Sequence, residues 1–226
     1  MPSCRPRRPT TVALAALLAL AAATGCEGDC SFADDVVAGH GANPEGVPYP
    51  DGPYGAVARS DATPGDVFPN LGFPGYPAGA ADGEMATISL ADYFDPQMRR
   101  FKVLHLTAVA MWCPYCAREA SQLAEVAPAL GAEGAAFVQV IIDGPDRGES
   151  PDRCDLDDWI DEYDLRFAVA LDAQARRLGS VAALQGVPYN AIIDTRTMEV
   201  LDTGTGAPDD VAAAVRHWIE WVDTHP

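Results

Sequence analysis

The stretch FKVLHLTAVAMWCPYC, residues 101–116, decides the fold of this chain of 226 residues. Its first ten residues are almost continuously apolar, which is typical of a strand buried on both faces of a sheet. Beyond Cys116, apolar residues recur every three or four positions as far as Leu130, which is the spacing of one helix face. A Cys-x-x-Cys pair between a buried strand and a helix is the sequence form of a thiol–disulfide redox centre.

The spacing of the two cysteines suits disulfide chemistry. Two intervening residues on the first turn of a helix, here Pro114 and Tyr115, let the sulfurs close a small ring, with Cys113 exposed and Cys116 beneath it. The helix N-terminus supplies partial positive charge and free N–H groups, which stabilise a thiolate at Cys113. We therefore predict Cys113 and Cys116 as the catalytic pair. Trp112 is expected to shield the disulfide and contact partners, with a purely structural place in the core as the alternative.

Zinc is the main competing use of a Cys-x-x-Cys pair. A structural zinc site needs a second pair of ligands at similar spacing. The other cysteines, Cys4, Cys26, Cys30 and Cys154, form no such pair, and the four histidines are scattered. The sequence therefore predicts neither a metal site nor a cofactor.

The N-terminus has the pattern of an export signal. Three arginines among the first eight residues precede an uncharged apolar run over residues 10–23, which has the length of a signal-peptide core. The run ends in small residues followed by Cys26, a pattern that resembles the bacterial lipoprotein signal. We predict a signal peptide over residues 1–25, lipidation of Cys26, and a lipid-anchored location in the periplasm or cell envelope. Ordinary secretion, with Cys26 paired to another thiol, is the alternative.

The charge of the chain limits its partners. The formal net charge is −18, and removal of the three signal arginines makes the chain still more acidic. Such a surface repels nucleic acid and anionic lipid head groups, so we expect no nucleic-acid partner and membrane contact only through the lipid. Export places the chain in an oxidising compartment, where the remaining Cys30 and Cys154 are candidates for a structural disulfide.

The rest of the chain divides into a tether and a domain. Residues 26–64 are rich in Pro and Gly and lack apolar periodicity, although recurring aromatic residues favour contact with the domain. Residues 65–226 alternate strand and helix patterns and close with a hairpin and an amphipathic helix. This order predicts an α/β sandwich with a mixed central sheet flanked by helices and an N-terminal extension.

With these elements placed, the chain resembles the thioredoxin superfamily, and within it the membrane-anchored TlpA/ResA-like disulfide reductases. The resemblance runs from about Gly65 to the C-terminus. The residues that carry it are Gly65-Asp66, Pro69-Asn70, Ser89-Leu90, Trp112, Cys113, Cys116, Glu119, Gly186-Val187-Pro188 and Ile192-Ile193-Asp194.

The resemblance implies roles for a second loop and for partners. Pro188 would be the cis-proline that faces the disulfide, and the backbone of Val187 would pair with a bound substrate strand. Substrates would be oxidised cysteines of exported proteins, including apocytochrome c or copper-site proteins. A membrane thiol electron donor would keep the pair reduced.

Three positions depart from the family pattern. The dipeptide Pro114-Tyr115 resembles that of glutaredoxins, and Ser121 replaces a common helix proline. Thr107 stands where thioredoxin has a buried carboxylate, so another group must accept the proton of Cys116. Glu119 either faces solvent or tunes the thiols. The direction of electron flow stays open, because the dipeptide tunes the redox potential.

The expected function is that of an exported thiol–disulfide oxidoreductase which reduces disulfides through Cys113 and Cys116. A disulfide oxidase or isomerase is one alternative. A peroxiredoxin would have a threonine three residues before the reactive cysteine, where Ala110 stands. A copper-binding chaperone of the same fold would have a histidine downstream, where Val187-Pro188 stands, although soft thiolates could still bind Cu(I).

Overall fold

The computed structural model describes residues 30–32, 38–79, 81, 83–182 and 184–225. Seven strands and three α-helices lie in these residues. The strands are β1 (Gly72–Tyr76), β2 (Ala86–Ser89), β3 (Val103–Ala110), β4 (Ala135–Asp143), β5 (Ala168–Leu171), β6 (Tyr189–Asp194) and β7 (Glu199–Thr205). The helices are α1 (Pro114–Glu133), α2 (Arg153–Tyr163) and α3 (Val211–Thr224).

The strands form one mixed sheet in the order β2-β1-β5-β4-β3-β6-β7. Strands β3, β4 and β5 are parallel neighbours, and the remaining pairs are antiparallel. All residues of β3 are buried, as the continuous apolar run predicts. This arrangement confirms the predicted thioredoxin-like α/β fold with a mixed central sheet.

The two faces of the sheet are covered differently. Val103 and Val109 of β3 belong to apolar clusters that also contain the buried residues of α1, α2 and α3. Leu104 and Leu106 point to the other face, where they join a cluster with residues of the N-terminal arm and short 3-10 turns. The redox motif therefore starts from a strand that is packed on both sides.

Helix α1 continues through a proline. A proline inside a helix is expected to end or bend it, but α1 passes Pro128, runs to Glu133 and ends at Gly134, whose φ of 109° suits glycine. Leu130 is fully buried, and Glu133 accepts two hydrogen bonds from Arg216 of α3, both at 2.8 Å. These contacts compensate for the backbone hydrogen bond that the proline removes.

The alternation of strand and helix patterns predicts a helix near residues 173–180, and this prediction is wrong. The chain forms two 3-10 turns instead, Ala173–Ala175 and Leu178–Ser180. The buried Asp172 carboxylate accepts hydrogen bonds from the backbone N–H groups of Arg177 and Leu178, at 3.0 and 2.9 Å. A side chain that satisfies these donors replaces the helical hydrogen bonds.

Within the N-terminal arm, residues 38–71, the part from Arg59 to Phe68 lies along the edge strand β7. Arg59 N–H donates to Val200 O at 2.9 Å, and Val200 N–H donates to Asp66 O at 2.8 Å. The Tyr49 hydroxyl donates to Phe68 O at 2.7 Å. The arm thus covers backbone groups that an edge strand would otherwise expose. The predicted division at residues 64–65 stays a prediction.

The segment that precedes the arm is linked covalently to the domain. Cys30 and Cys154 form a disulfide, with their Cα atoms 5.1 Å apart and a sequence separation of 124. Beside it, Arg153 N–H donates to Cys30 O at 3.0 Å. The predicted signal peptide over residues 1–25 and the predicted lipidation site Cys26 lie outside the described residues. Among the described helices, none combines the length and the apolar character needed to cross a bilayer.

Candidate active site

Cys113 and Cys116 lie at the junction between β3 and α1, and both are free thiols. Cys113 is the N-cap of α1, and its Sγ accepts a hydrogen bond from Cys116 N–H at 3.4 Å. Pro114 occupies the first helical turn, where its missing N–H costs nothing. The sequence therefore places the two thiols on one helix turn, as disulfide exchange requires.

The prediction that Cys113 is exposed is wrong. Its relative exposure is 3%, and that of Cys116 is 0%. The loop before β6 lies against the thiols, because Cys113 Sγ is 3.6 Å from the carbonyl oxygen of Val187. The Val187–Pro188 peptide bond in this loop is cis. A partner disulfide can reach Cys113 only if the Val187 carbonyl and its loop move away from the thiol.

Trp112 is fixed beside the thiols by the loop after β4. Its indole N–H donates to Asp143 Oδ2 at 3.0 Å, and the guanidinium of Arg147 lies 3.8 Å from its ring centroid. The same Asp143 oxygen accepts from Gly148 N–H at 3.2 Å. The ring also packs against the apolar cluster that contains Cys113 and Cys116. Trp112 therefore packs against the edge of the core and also borders the active site.

Tyr115 is the most exposed apolar group of the motif. Its relative exposure is 59%, and the Arg118 guanidinium lies 5.5 Å from its ring centroid. Arg118 also donates to Ala207 O at 3.0 Å, which links α1 to the loop after β7. Tyr115 is thus available to contact an incoming protein surface, whereas Pro114 fixes the helix start.

Glu119 is fully buried one turn after Cys116, on the same face of α1. Burial raises the pKa of this carboxyl group to about 7, while the Asn190 amide and the Arg118 charge act in the opposite direction. Within the described part of the chain, neither carboxyl oxygen has a partner at hydrogen-bond distance. Of the two alternatives for Glu119, the structure supports the one that places it with the thiols.

The environment of Cys116 keeps its thiol protonated. Burial raises the pKa of Cys116 well above its ordinary value, and the neighbouring Cys113 sulfur and Glu119 charge add to this effect. A resolving thiol in such surroundings needs a base to accept its proton. Thr107, which stands at the position of thioredoxin's carboxylate, is buried but is not a base. Glu119 offers a carboxylate from the helix instead.

Behind Glu119 lies a buried polar pair that sequence reasoning did not connect to the site. His105 Nε2 and Asn190 Oδ1 are 2.7 Å apart, and Asn190 Nδ2 donates to Gly206 O at 3.3 Å. Burial lowers the pKa of His105 to about 4, so the ring is neutral at neutral pH. His105 lies within the apolar run of residues 101–110, which predicts only a satisfied core histidine, and no local pattern singles out Asn190.

One group of potential metal ligands occurs in the described residues, formed by Cys30, Asp152 and Cys154. Its two sulfurs are bonded to each other, which leaves a single carboxylate. That set does not suit a metal ion.

A mixed sheet with a Cys-x-x-Cys pair at a helix start, facing a cis-proline loop, defines a dithiol protein of the thioredoxin fold. The model of the AhpC/TSA family matches residues 64–200, and the chain belongs to this family. No match was found among the curated proteins.

Solved structures share the fold at low sequence identity. A secreted thiol-disulfide isomerase from Corynebacterium glutamicum has a TM-score of 0.56 at 17% identity, covering 74% of this chain and 91% of its own. A candidate thiol:disulfide interchange protein DsbE from Chlorobium tepidum has a TM-score of 0.54 at 21% identity, covering 71% and 97%. The thioredoxin domain of a thiol-disulfide oxidoreductase from Bacteroides vulgatus has a TM-score of 0.52 at 18% identity, covering 70% and 98%. The structural neighbours are therefore thiol–disulfide proteins.

Proposed function

We propose that this protein is an exported thiol–disulfide oxidoreductase which reduces disulfides of other exported proteins through Cys113 and Cys116. The observation that carries the proposal is the free thiol pair at the start of α1 with the buried Glu119 carboxyl group one turn away. A closed structural disulfide would need no such base.

The reaction proceeds in two exchanges. The Cys113 thiolate attacks one sulfur of the partner disulfide, so a mixed disulfide forms and the other partner sulfur leaves as a thiolate that takes up a proton. Cys116 then gives its proton to Glu119 and attacks the Cys113 sulfur. The second partner sulfur leaves as a thiol. The partner disulfide is then reduced to two thiols, and Cys113 and Cys116 are oxidised by two electrons to a disulfide. A membrane thiol electron donor restores the dithiol.

Glu119 is suited to the second exchange. A carboxyl group with a pKa of about 7 accepts a proton near neutral pH and also releases it readily. The buried Cys116 thiol, whose pKa is strongly raised, would otherwise remain protonated and unreactive. Glu119 therefore acts as the base during reduction of a partner and as the acid in the reverse direction.

Substrate docking is assigned to the rim of the site. Tyr115 offers an exposed aromatic surface, and the backbone of Val187 lies against Cys113 where a substrate strand would pair. Pro188 follows it without an N–H group that could compete for the thiolate. Displacement of the Val187 carbonyl from Cys113 by an incoming strand would uncover the nucleophile.

An oxidising compartment fits the second cysteine pair, because a disulfide such as Cys30–Cys154 persists in exported proteins. We place the protein in the periplasm or cell envelope, anchored through a lipid on Cys26. Disulfide-bearing exported proteins are its substrates, and its strongly negative charge argues against nucleic acid.

The reduction potential of the Cys113–Cys116 pair tests the direction of the reaction. Trp112 fluorescence in glutathione or dithiothreitol buffers reports the transition. A potential near or below about −250 mV supports a reductase, whereas about −120 to −180 mV supports the oxidase or isomerase alternative. Absence of any redox transition would contradict the enzyme and favour Cu(I) binding.

Trapping of partners tests the mechanism. Cys116→Ser removes the resolving thiol, so mixed disulfides between Cys113 and its partners should accumulate. Cys113→Ser/Cys116→Ser is the matched control and should capture nothing. If the single variant captures no more than the double variant in cell-envelope extracts, the exchange mechanism is wrong.

A further inference from the structure

The connection between β7 and α3, residues 206–210, contacts both walls of the active site. One wall is the covering loop, residues 186–188, whose Val187 carbonyl lies against Cys113. The other wall is the first half of α1, which carries Cys116 and begins directly after Cys113. Because the connection forms hydrogen bonds to each wall, its position is coupled to the cover over the nucleophile.

The connection holds the covering loop through backbone hydrogen bonds. Gly206 N–H donates to Pro188 O at 2.7 Å, which extends the antiparallel pairing of β6 with β7 by one residue. The Asn190 amide nitrogen donates to Gly206 O at 3.3 Å, so both backbone groups of Gly206 are used. Val187, whose carbonyl oxygen lies 3.6 Å from Cys113 Sγ, directly precedes Pro188. A movement of Gly206 therefore reaches the cover over Cys113 through a single residue.

Two side chains of α1 hold the connection from the other side. Arg118 Nη2 donates to Ala207 O at 3.0 Å. Gln122 Nε2 donates to Asp209 O at 3.3 Å, and since a carbonyl oxygen only accepts hydrogen bonds, the amide nitrogen must face it. Arg118 and Gln122 are four residues apart and so lie on the same face of the helix. The helix that carries the thiols therefore holds the connection at two successive points.

A cavity lies behind the connection. It has a volume of about 110 Å³, with Gly204, Gly206 and Pro208 in one wall and residues of β6 and α3 in the others. Gly206 has a φ of 95°, and a Cβ atom placed on it would meet no atom within 4 Å. Because few side chains pack against this part of the connection, its position depends mainly on its hydrogen bonds.

We propose that Arg118 and Gln122 are positioning residues for the exchange reaction: they hold the connection against α1, and the connection holds the covering loop over the Cys113 thiol. This inference rests on the proposed function of the Cys113–Cys116 pair, whose first exchange requires that Cys113 be uncovered. The covered form, in which Cys113 is 3% exposed, shields the reduced thiol until a partner strand displaces the loop.

Alkylation of the reduced protein by iodoacetamide tests this role. The reagent needs access to the Cys113 sulfur but no exchange activity, and mass spectrometry distinguishes a label on Cys113 from one on Cys116. Gln122→Met removes the amide donor without changing the charge, and Arg118→Met removes the guanidinium. Since a net hydrogen bond changes an opening equilibrium by roughly twofold to tenfold, each variant should raise the alkylation rate about threefold and the double variant about tenfold.

The pH profile of alkylation separates a lost cover from a lost charge. A larger uncovered population multiplies the rate at every pH, so the plateau at high pH should rise while the midpoint stays in place. A change in the stability of the thiolate would instead move the midpoint. Gln122→Met, which alters no charge, is the decisive variant. A plateau equal to that of wild type in this variant and in the double variant overturns the inference.

Two further variants guard against a merely structural effect. Arg216→Met also removes an arginine that links α1 to α3, through hydrogen bonds to Glu133 at the far end of α1. It should lower stability and leave the alkylation rate unchanged, and an equal rise in this control would overturn the inference. Gly206→Ala disfavours the backbone conformation of the connection and should raise the plateau. If the double variant does not fold, Gly206→Ala and Gln122→Met decide.

Reduction of a chromogenic aromatic disulfide by the same variants connects the cover to the reaction. Attack by Cys113 on this small substrate should accelerate in proportion to alkylation. Faster alkylation in variants of a protein that exchanges no disulfide would contradict the proposed function alone. Normal exchange activity together with unchanged alkylation in all variants would contradict the positioning role alone.

Discussion

The two cysteine pairs of the described chain differ in separation, burial and state. Cys113 and Cys116 are three residues apart, buried and unbonded, whereas Cys30 and Cys154 are 124 residues apart, half-buried and joined. The first pair sits at a helix start with a buried carboxyl group beside it, and the second closes a long loop. The comparison shows that the environment of two cysteines determines whether they form a reactive pair or a structural cross-link.

Loss of the nucleophile should have the largest effect. Cys113→Ser removes the attacking thiolate, so we expect the rate of disulfide exchange to fall by roughly three orders of magnitude or more. Reduction of a model protein disulfide, followed by turbidity or thiol release, measures the rate. Cys30→Ser/Cys154→Ser is the control and should retain exchange activity. A comparable loss of exchange activity in both variants would contradict the proposal that one cysteine pair is reactive and the other is structural.

Removal of the cross-link should act on stability instead. Cys30→Ala/Cys154→Ala opens a loop of 124 residues, and the expected loss in the free energy of unfolding is about 2–5 kcal/mol. Urea unfolding of both proteins gives the difference. Wild type treated with a reductant strong enough to open the cross-link should match the variant. A stability within experimental error of oxidised wild type would mean that the arm is held by its hydrogen bonds alone.

The buried carboxyl group beside the reactive pair should make stability depend on pH. The pKa of Glu119 rises from 4.5 to about 7 on folding, so the native protein retains a proton that the unfolded chain has released between these values. The contribution of Glu119 to the free energy of unfolding should therefore fall by about 3 kcal/mol as pH rises through this range. The difference between wild type and Glu119→Gln in urea titrations at pH 4.5 to 8 measures this contribution.

His105 contributes to the pH dependence of the free energy of unfolding with the opposite sign. Its pKa falls from 6.5 to about 4 on folding, so its contribution to stability is complete above pH 6.5 and is lost as pH falls towards 4. The Glu119→Gln variant exposes this acid-side loss by itself. A slope that persists above pH 6.5 in that variant would show that another group titrates.

The smallest expected effect on stability and activity comes from a substitution beside Trp112, at the rim of the active site. Arg147→Ala removes the cation above the Trp112 ring and should cost about 0.5–1 kcal/mol of stability. Because the Asp143 hydrogen bond to the indole remains, Trp112 fluorescence should change while exchange activity stays within about twofold. Arg99→Ala is a matched exposed control. A large loss of activity would assign Arg147 to substrate contact.

The sequence predicted the central strands well because burial on both faces leaves a continuous apolar run. Apolar runs over residues 101–110, 135–142 and 168–171 predict strands, and β3, β4 and β5 begin and end within two residues of these runs. The two departures have different causes. Arg216, which is distant in sequence, supports the last turn of α1 beyond Pro128. The Asp172 carboxylate acts locally instead, since it accepts from backbone N–H groups five and six residues later, and two turns form in place of a helix.

The site was predictable in part for the same reason. The motif marks Cys113 and Cys116 directly, but the cover over Cys113 comes from the Val187 loop, 74 residues away in sequence. The sequence left Glu119 open between a place in solvent and a role in tuning the thiols, and its position three residues after Cys116 on the buried face of α1 decides for the second. The His105–Asn190 contact depends on the register of β3 against β6, which no local pattern encodes.

If Cys26 carries the proposed lipid, the position of the cross-link limits the distance between the domain and the membrane. Three residues separate Cys26 from Cys30, and four Cα–Cα steps reach about 14 Å at most. If that bond is opened and the hydrogen bond from Arg153 N–H to Cys30 O is lost with it, the bridge between Ala38 and Leu71 still holds the arm, and the chain from Cys26 to Ala38 can reach about 40 Å. With the proposed lipid on Cys26, the Cys30–Cys154 bond would thus limit the height of the thiols above the bilayer.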